Sequence, residues 1–125
     1  MSCKITAIKK SNYTHFIVEG ENTKENTLEY LRKIYKECFA NNDRYILIEE
    51  RFVGEFLGTM NLHDVLSTAS QEGFAFFKAV AFVDENAGSD DLKFIENLAI
   101  NRSLPVRTFR SLEKAEKWLT GKVTK

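Results

Sequence analysis

Residues 45–48, Tyr-Ile-Leu-Ile, form an unbroken apolar run that ends in two acids, Glu49 and Glu50. Side chains alternate between the two faces of a β-strand. A run without polar alternation therefore needs cover on both faces, which is the signature of a central strand in a parallel sheet. In open α/β sheets, ligands sit beyond the carboxyl ends of such strands. A greasy ten-residue connection follows, Arg51 to Met60, and a helix start is expected at Asn61-Leu62-His63-Asp64. Function is expected at this edge. No nucleophile elbow, P-loop or dinucleotide fingerprint occurs in the chain.

The rest of the chain alternates in kind. Lys4–Lys9 and Thr14–Glu19 are short β-type runs joined by Lys10-Ser11-Asn12-Tyr13, which predicts an N-terminal hairpin closed by Gly20. A helix over residues 23–40 is predicted from Leu28, Leu31, Tyr35, Cys38 and Phe39 at helical spacing. Asn26 with Glu29 resembles a capping box, Thr23 is an alternative cap, and Asn41-Asn42 can supply a left-handed stop. The helix starting at Asn61 would carry Leu62, Val65, Leu66 and Ala69 inward, with Asp64 near its free N–H groups and Gly73 at its end.

Phe77–Val83 is the next buried strand, and 84–88 leaves it as a loop. Ser89 is the expected cap of a third helix, with Asp90 and Asp91 complementing its positive end. Pro105–Phe109 is a last strand. Ser111 caps a final helix lined by Leu112, Ala115, Trp118 and Leu119, and Gly121 opens a frayed tail. The order β-β-α-β-α-β-α-β-α predicts an α/β fold with a mixed five-stranded sheet and about four helices. Its last strands would be parallel and at least one hairpin strand antiparallel.

A chain of 125 residues without linker, repeat or low-complexity stretch suits one domain, 1–125. Lys+Arg and Asp+Glu are each 18, so the basic excess usual in nucleic-acid binders is missing. No apolar run is long enough to span a bilayer, and the start lacks the core of a secretory signal. A cytoplasmic location is the default expectation. Cys3 and Cys38 then read as reduced thiols, although spacing alone leaves a disulfide open.

Other polar residues carry weaker signals. Glu49, Glu50, Asp84 and Glu85 end neighbouring strands and are expected to cluster. Such clusters raise pKa values or hold hard cations, but solvated strand ends are the simpler reading. A receiver domain also places acids here; the opening hairpin and the lack of a lysine after the last strand reject it. His15 and His63 have no metal-ligand spacing and read as surface or half-buried residues. The helix start after Gly88 is a weak anion site, opposed by Asp90 and Asp91. Arg102, Arg107 and Arg110 could converge on a phosphate or lipid headgroup, but dipole complementation and solvation account for them.

Three C-terminal segments are distinctive: Phe77 to Asp84, Leu98-Ala99-Ile100-Asn101-Arg102, and Pro105 to Leu119. They resemble the SpoIIAA-like branch of the STAS domains, whose element order also matches across nearly the whole chain. The resemblance implies a small regulatory or ligand-binding domain. STAS antagonists of anti-sigma factors bind a partner kinase that phosphorylates a serine in an Asp-Ser-Ser-Gly type motif at the start of the helix after the third strand. Leu57-Gly58-Thr59-Met60-Asn61-Leu62 is the matching stretch. It departs from the motif: the acid is absent, the phosphorylated position falls nearest Met60, and Thr59 is the remnant beside it. The branch is also structurally reminiscent of CRAL-TRIO lipid-binding domains.

The leading expectation is a non-enzymatic regulatory domain that binds a protein partner, or itself, through Phe52, Val53, Phe56, Leu57, Thr59, Met60 and Asn61. Thr59 is the candidate modification site. Exposed apolar patches usually have a use, whereas the same side chains could instead fold back to complete the core. The alternative is a small apolar-ligand or lipid carrier, which calls for a cavity of a few hundred Å³. No cofactor or metal is implied.

Overall fold

A computed structural model describes residues 3–123. Strands β1 (Lys4–Lys9) and β2 (Thr14–Glu21) form the hairpin, followed by helix α1 (Lys24–Asn41) and strand β3 (Tyr45–Val53). Helix α2 (Thr59–Gln71), a 3-10 turn (Phe74–Phe76), strand β4 (Ala79–Val83) and helix α3 (Ser89–Asn101) come next. Strand β5 (Val106–Phe109) and helix α4 (Leu112–Val123) complete the chain.

The five strands lie in chain order, β1-β2-β3-β4-β5. The pair β1–β2 is antiparallel and every later pair is parallel. Parallel neighbours joined in one direction by right-handed crossovers put all the connecting helices on one face. Accordingly α1, α2 and α3 cover one face. Helix α4 follows the last strand, makes no crossover, and packs on the other face against β3, β4 and β5.

The central strands β3 and β4 serve both layers by alternation. Phe16, Val18, Ile46, Ile48 and Val80 join the larger core under α1–α3, whereas Leu47, Ala79, Ala81 and Val83 meet Ala115 and Leu119 of α4. Ile46, Leu47 and Ile48 are all at most 1% exposed, so the run at 45–48 does require cover on both sides. Each contributes roughly 1.5–3 kcal/mol by leaving water.

Several boundaries differ from the expectations. Strand β2 continues through Gly20 to Glu21 because β3 continues to Val53, and Gly20 and Glu21 pair with Phe52 and Val53. The connection after β3 therefore shrinks to residues 54–58. Helix α2 begins at Thr59 rather than Asn61, with Gly58 as a cap that lacks a side-chain hydrogen bond. Leu57, buried in the core, anchors the chain just ahead of it. Asp64 consequently lies beyond the first turn and pairs with Lys24 at 3.0 Å. Gly88 rather than Ser89 caps α3.

Strand β4 starts after Phe77, because the 3-10 turn occupies Phe74–Phe76. Gly73 ends α2 as expected: its φ of +113 suits glycine, and an added Cβ would lie 2.6 Å from the Tyr35 ring. Ser111 accepts a hydrogen bond from the Lys114 N–H, but α4 runs through Gly121 to Val123, so no frayed tail starts at Gly121. Residues 124–125 of the expected tail lie outside the described residues.

Helix α1 is rotated relative to the expected stripe. Thr23 is its cap, accepting a 3.0 Å hydrogen bond from the Asn26 N–H, and Asn42 is its left-handed stop. Asn26 lies inside the first turn, where its side chain donates to the Glu21 carbonyl. Thr27, Tyr30, Ile34 and Cys38 are buried, Leu28, Leu31 and Tyr35 are half-buried, and Phe39 is 60% exposed. The apolar arc of α1 spans two neighbouring stripes, and the one with the fewest large aliphatics is the more deeply buried. Cys3 and Cys38 are both free thiols. Burial pushes the Cys38 thiol up to about 12, so it stays protonated at neutral pH.

Candidate functional site

The seven expected contact residues divide between core and surface. Phe52 belongs to β3 and is half-buried, its ring edge-on to Tyr30 at 5.5 Å. Leu57 is 9% exposed and finishes the core. Val53, Phe56 and Met60 are exposed at 68%, 38% and 78%. Thr59 and Met60 are the first two residues of α2, followed by exposed Asn61. Gly54 (φ +114) and Gly58 bound the loop between them, and the Asn22 side chain donates a 2.8 Å hydrogen bond to the Glu55 carbonyl. Extension of β3 is the reason Phe52 leaves the loop: a residue paired in a parallel ladder projects to one fixed face.

The four acids do not form one cluster. Glu49 and Glu50 are consecutive on β3, so their side chains emerge on opposite faces of the sheet. On the α4 side, His15 Nε2 lies 2.9 Å from Glu49 Oε1, and Arg51 Nε donates to Glu49 Oε2 at 2.8 Å. Burial alone would raise the Glu49 carboxyl, but the hydrogen bonds from Arg51 and His15 outweigh it and hold the group below its usual value. His15 is 5% exposed, which corrects its reading as a surface or half-buried residue. Its register beside Leu47, two residues short of a direct pairing with Glu49 and so on the same face, brings the ring onto the carboxylate.

On the helical side, Glu50 is 8% exposed. The Tyr30 hydroxyl donates a 2.7 Å hydrogen bond to Glu50 Oε2. Burial raises the Glu50 carboxyl to about 7, against the lowering effect of that hydrogen bond and with help from the charge of Asp84. Asp84 is likewise raised by burial, opposed by the Asn86 and Ala87 N–H groups. Glu85 is exposed. Glu50 is the site residue that sequence reasoning undervalued. Its signal was parity: counted from Ile46 and Ile48, it points under α1–α3 rather than into solvent.

Glu50 and Asp84 line a cavity of about 80 Å³ between the sheet and α1–α3. Leu62, Val65, Leu66, Phe74 and Val80 form much of its wall, and Phe56 and Leu57 close it from the loop. Its volume is well below the roughly 300–1,000 Å³ of usual ligand pockets. A full-length lipid chain therefore does not fit within it.

The remaining candidates are dispersed. Arg102 donates to Ser67 Oγ at 3.1 Å and lies 3.3 Å from His63 Nδ1, bridging α3 to α2. Arg107 stands over the Trp118 ring on the α4 side, so Arg102 and Arg107 do not converge on one anion. Arg110 lies next to α3 on the exposed rim. Among the described residues, no group of three or more His, Cys, Asp or Glu could hold a metal ion, and no helix is long and apolar enough to cross a membrane.

Comparison with known proteins places the fold. The structure is similar to the crystal structure of an uncharacterised protein of the DUF3478 family with a SpoIIAA-like fold from Shewanella loihica. The TM-score is 0.61 at 17% sequence identity, over 94% of each chain. The chain thus has a SpoIIAA-like α/β fold. No family profile matches the sequence, and no curated protein matches it.

Proposed function

We propose that this SpoIIAA-like domain is a STAS-like regulatory module that acts by binding a protein partner rather than by catalysis. The supporting observation is the exposure of Val53, Phe56 and Met60 around the 54–58 loop, at the carboxyl edge of the parallel strands. Phe52 and Leu57 support the loop from beneath, as their burial leaves the three outer side chains to make contact. The partner would offer an apolar segment of its own. Thr59, exposed at the first position of α2, is the residue at which a phosphoryl group would regulate the contact, since it would add charge to an apolar interface and sit at a helix start that tolerates anions.

A photo-crosslinking residue at position 60 tests the reading in cells. One discrete crosslinked product is expected. It should disappear with Phe56→Ser and be missing when the crosslinker replaces Ile100, an exposed apolar residue on α3. A product of twice the chain mass would identify self-association. The same products from positions 60 and 100 would refute the surface. Intact-mass analysis of the captured protein checks Thr59 for an added phosphate.

A further inference from the structure

We infer that the cavity behind the 54–58 loop is a binding site for a small aliphatic amine, with the ammonium group meeting Glu50 and Asp84 and the short hydrocarbon part held among Leu62, Val65, Leu66 and Phe74.

The charge of the wall carries the choice of ligand. Two carboxyl groups line the cavity, and no Lys, Arg or His is among its lining residues. Among the described residues Glu50 accepts a side-chain hydrogen bond from Tyr30 at Oε2, and no sealed side-chain oxygen is left without a partner, so Oε1 keeps contact with solvent and is the half that a ligand can reach. A buried carboxylate without a counter-charge is costly, and a cation beside it recovers much of that cost in a low dielectric. Fatty acids and phosphate esters would instead add like charge to Glu50 and Asp84. A neutral hydrocarbon would further desolvate Glu50 without offering it a partner. An ammonium group also supplies three N–H donors, enough for Glu50 and Asp84 together.

Size sets the other limit. One water needs roughly 10–15 Å³ of such space, so about 80 Å³ holds on the order of five to eight non-hydrogen atoms. That is the size of a butylamine rather than of a lipid. Phe56 and Leu57 belong to both the loop and the cavity wall, so a ligand held there would also touch the loop. Of the three exposed apolar side chains, Phe56 alone lines the cavity, and the inference does not depend on the protein-partner reading.

Titration of the full chain with n-butylamine, n-butanol and butyrate, followed by two-dimensional amide NMR at pH 7.5, tests the site. Butylamine should give saturable shifts at Glu50, Asp84, Leu62 and Val65, while butyrate should give none and butanol shifts at least tenfold weaker in apparent affinity. Glu50→Gln should weaken butylamine binding at least tenfold with the amide spectrum otherwise retained. Ala69→Leu, which adds bulk to the wall, should abolish binding; should that variant not fold, the Glu50→Gln result decides. Equal binding of butyrate or butanol, unsaturable shifts, or butylamine affinity unchanged by Glu50→Gln would each overturn the proposal.

Discussion

The Tyr30 hydroxyl and the Glu50 carboxyl are joined by a 2.7 Å hydrogen bond that ties helix α1 to the carboxyl end of β3. Both residues are buried, at 2% and 8% exposure, in a wall that is otherwise mostly apolar. The bond has different worth in the two protonation states of Glu50. A donor to a carboxylate contributes about 1.5–3 kcal/mol, and one to a neutral acid about 1 kcal/mol. Tyr30→Phe is therefore expected to destabilise the domain by about 2 kcal/mol at pH 8.5 and about 1 kcal/mol at pH 5. Urea unfolding at the two pH values measures the difference.

Glu50 also dictates a pH dependence. Its carboxyl is raised from 4.5 to about 7 in the folded chain. The groups facing it are the Tyr30 hydroxyl from α1 and the Asp84 carboxyl just after β4. Between these two values the folded state holds more protons than the unfolded state, so stability falls as pH rises. The contribution is fully present below about pH 4.5 and lost by about pH 7, a change on the order of 3 kcal/mol. Glu50→Gln should flatten this slope in urea midpoints taken from pH 5 to 8. A slope unchanged by Glu50→Gln would assign it to other groups.

The pair His15–Glu49 lies at 6% side-chain exposure on both partners. A double-mutant cycle with His15→Ala and Glu49→Gln should return a coupling of about 1–3 kcal/mol, as expected of a buried charge-assisted hydrogen bond. The same cycle on the solvent-facing Lys33–Glu29 pair should return about 0.5 kcal/mol or less. Comparable values for the two pairs would mean that burial of the first adds nothing.

Gly73 and Gly58 bracket α2 and should respond unequally to alanine. Gly73→Ala puts a side chain at φ +113 and within 2.6 Å of the Tyr35 ring, so a loss of about 2 kcal/mol or more is expected. Gly58 has φ −68 and open space around its missing Cβ. There the loss should stay below about 1 kcal/mol, because alanine is a poorer cap than glycine. Thermal unfolding of the two variants gives the comparison directly.

Element order was legible because it rests on local period. The run at 45–48 announced a strand covered on both faces, and Leu62, Val65, Leu66 and Ala69 announced the buried stripe of α2; each is decided within a few residues. The buried face of α1 was harder, since apolar residues lie on two adjacent stripes and only the sheet beneath selects Tyr30 and Ile34. The loop was read as too long because its first three residues look the same whether exposed or paired. Their state depends on β2 extending beside them.

Sequence alone thus determined the alternation of strands and helices and the doubly covered centre of the sheet, since side-chain periodicity is a property of a short segment. Tertiary structure decided the fate of the two acids after β3. Their opposite directions follow from strand geometry, but their partners come from far along the chain, His15 for Glu49 and Tyr30 for Glu50. Register and helix rotation bring those groups within hydrogen-bond distance. There the hydrogen bonds from Arg51 and His15 hold the Glu49 carboxyl down against burial, while burial raises the Glu50 carboxyl, because the balance of desolvation and hydrogen bonding exists only once the layers have closed over them.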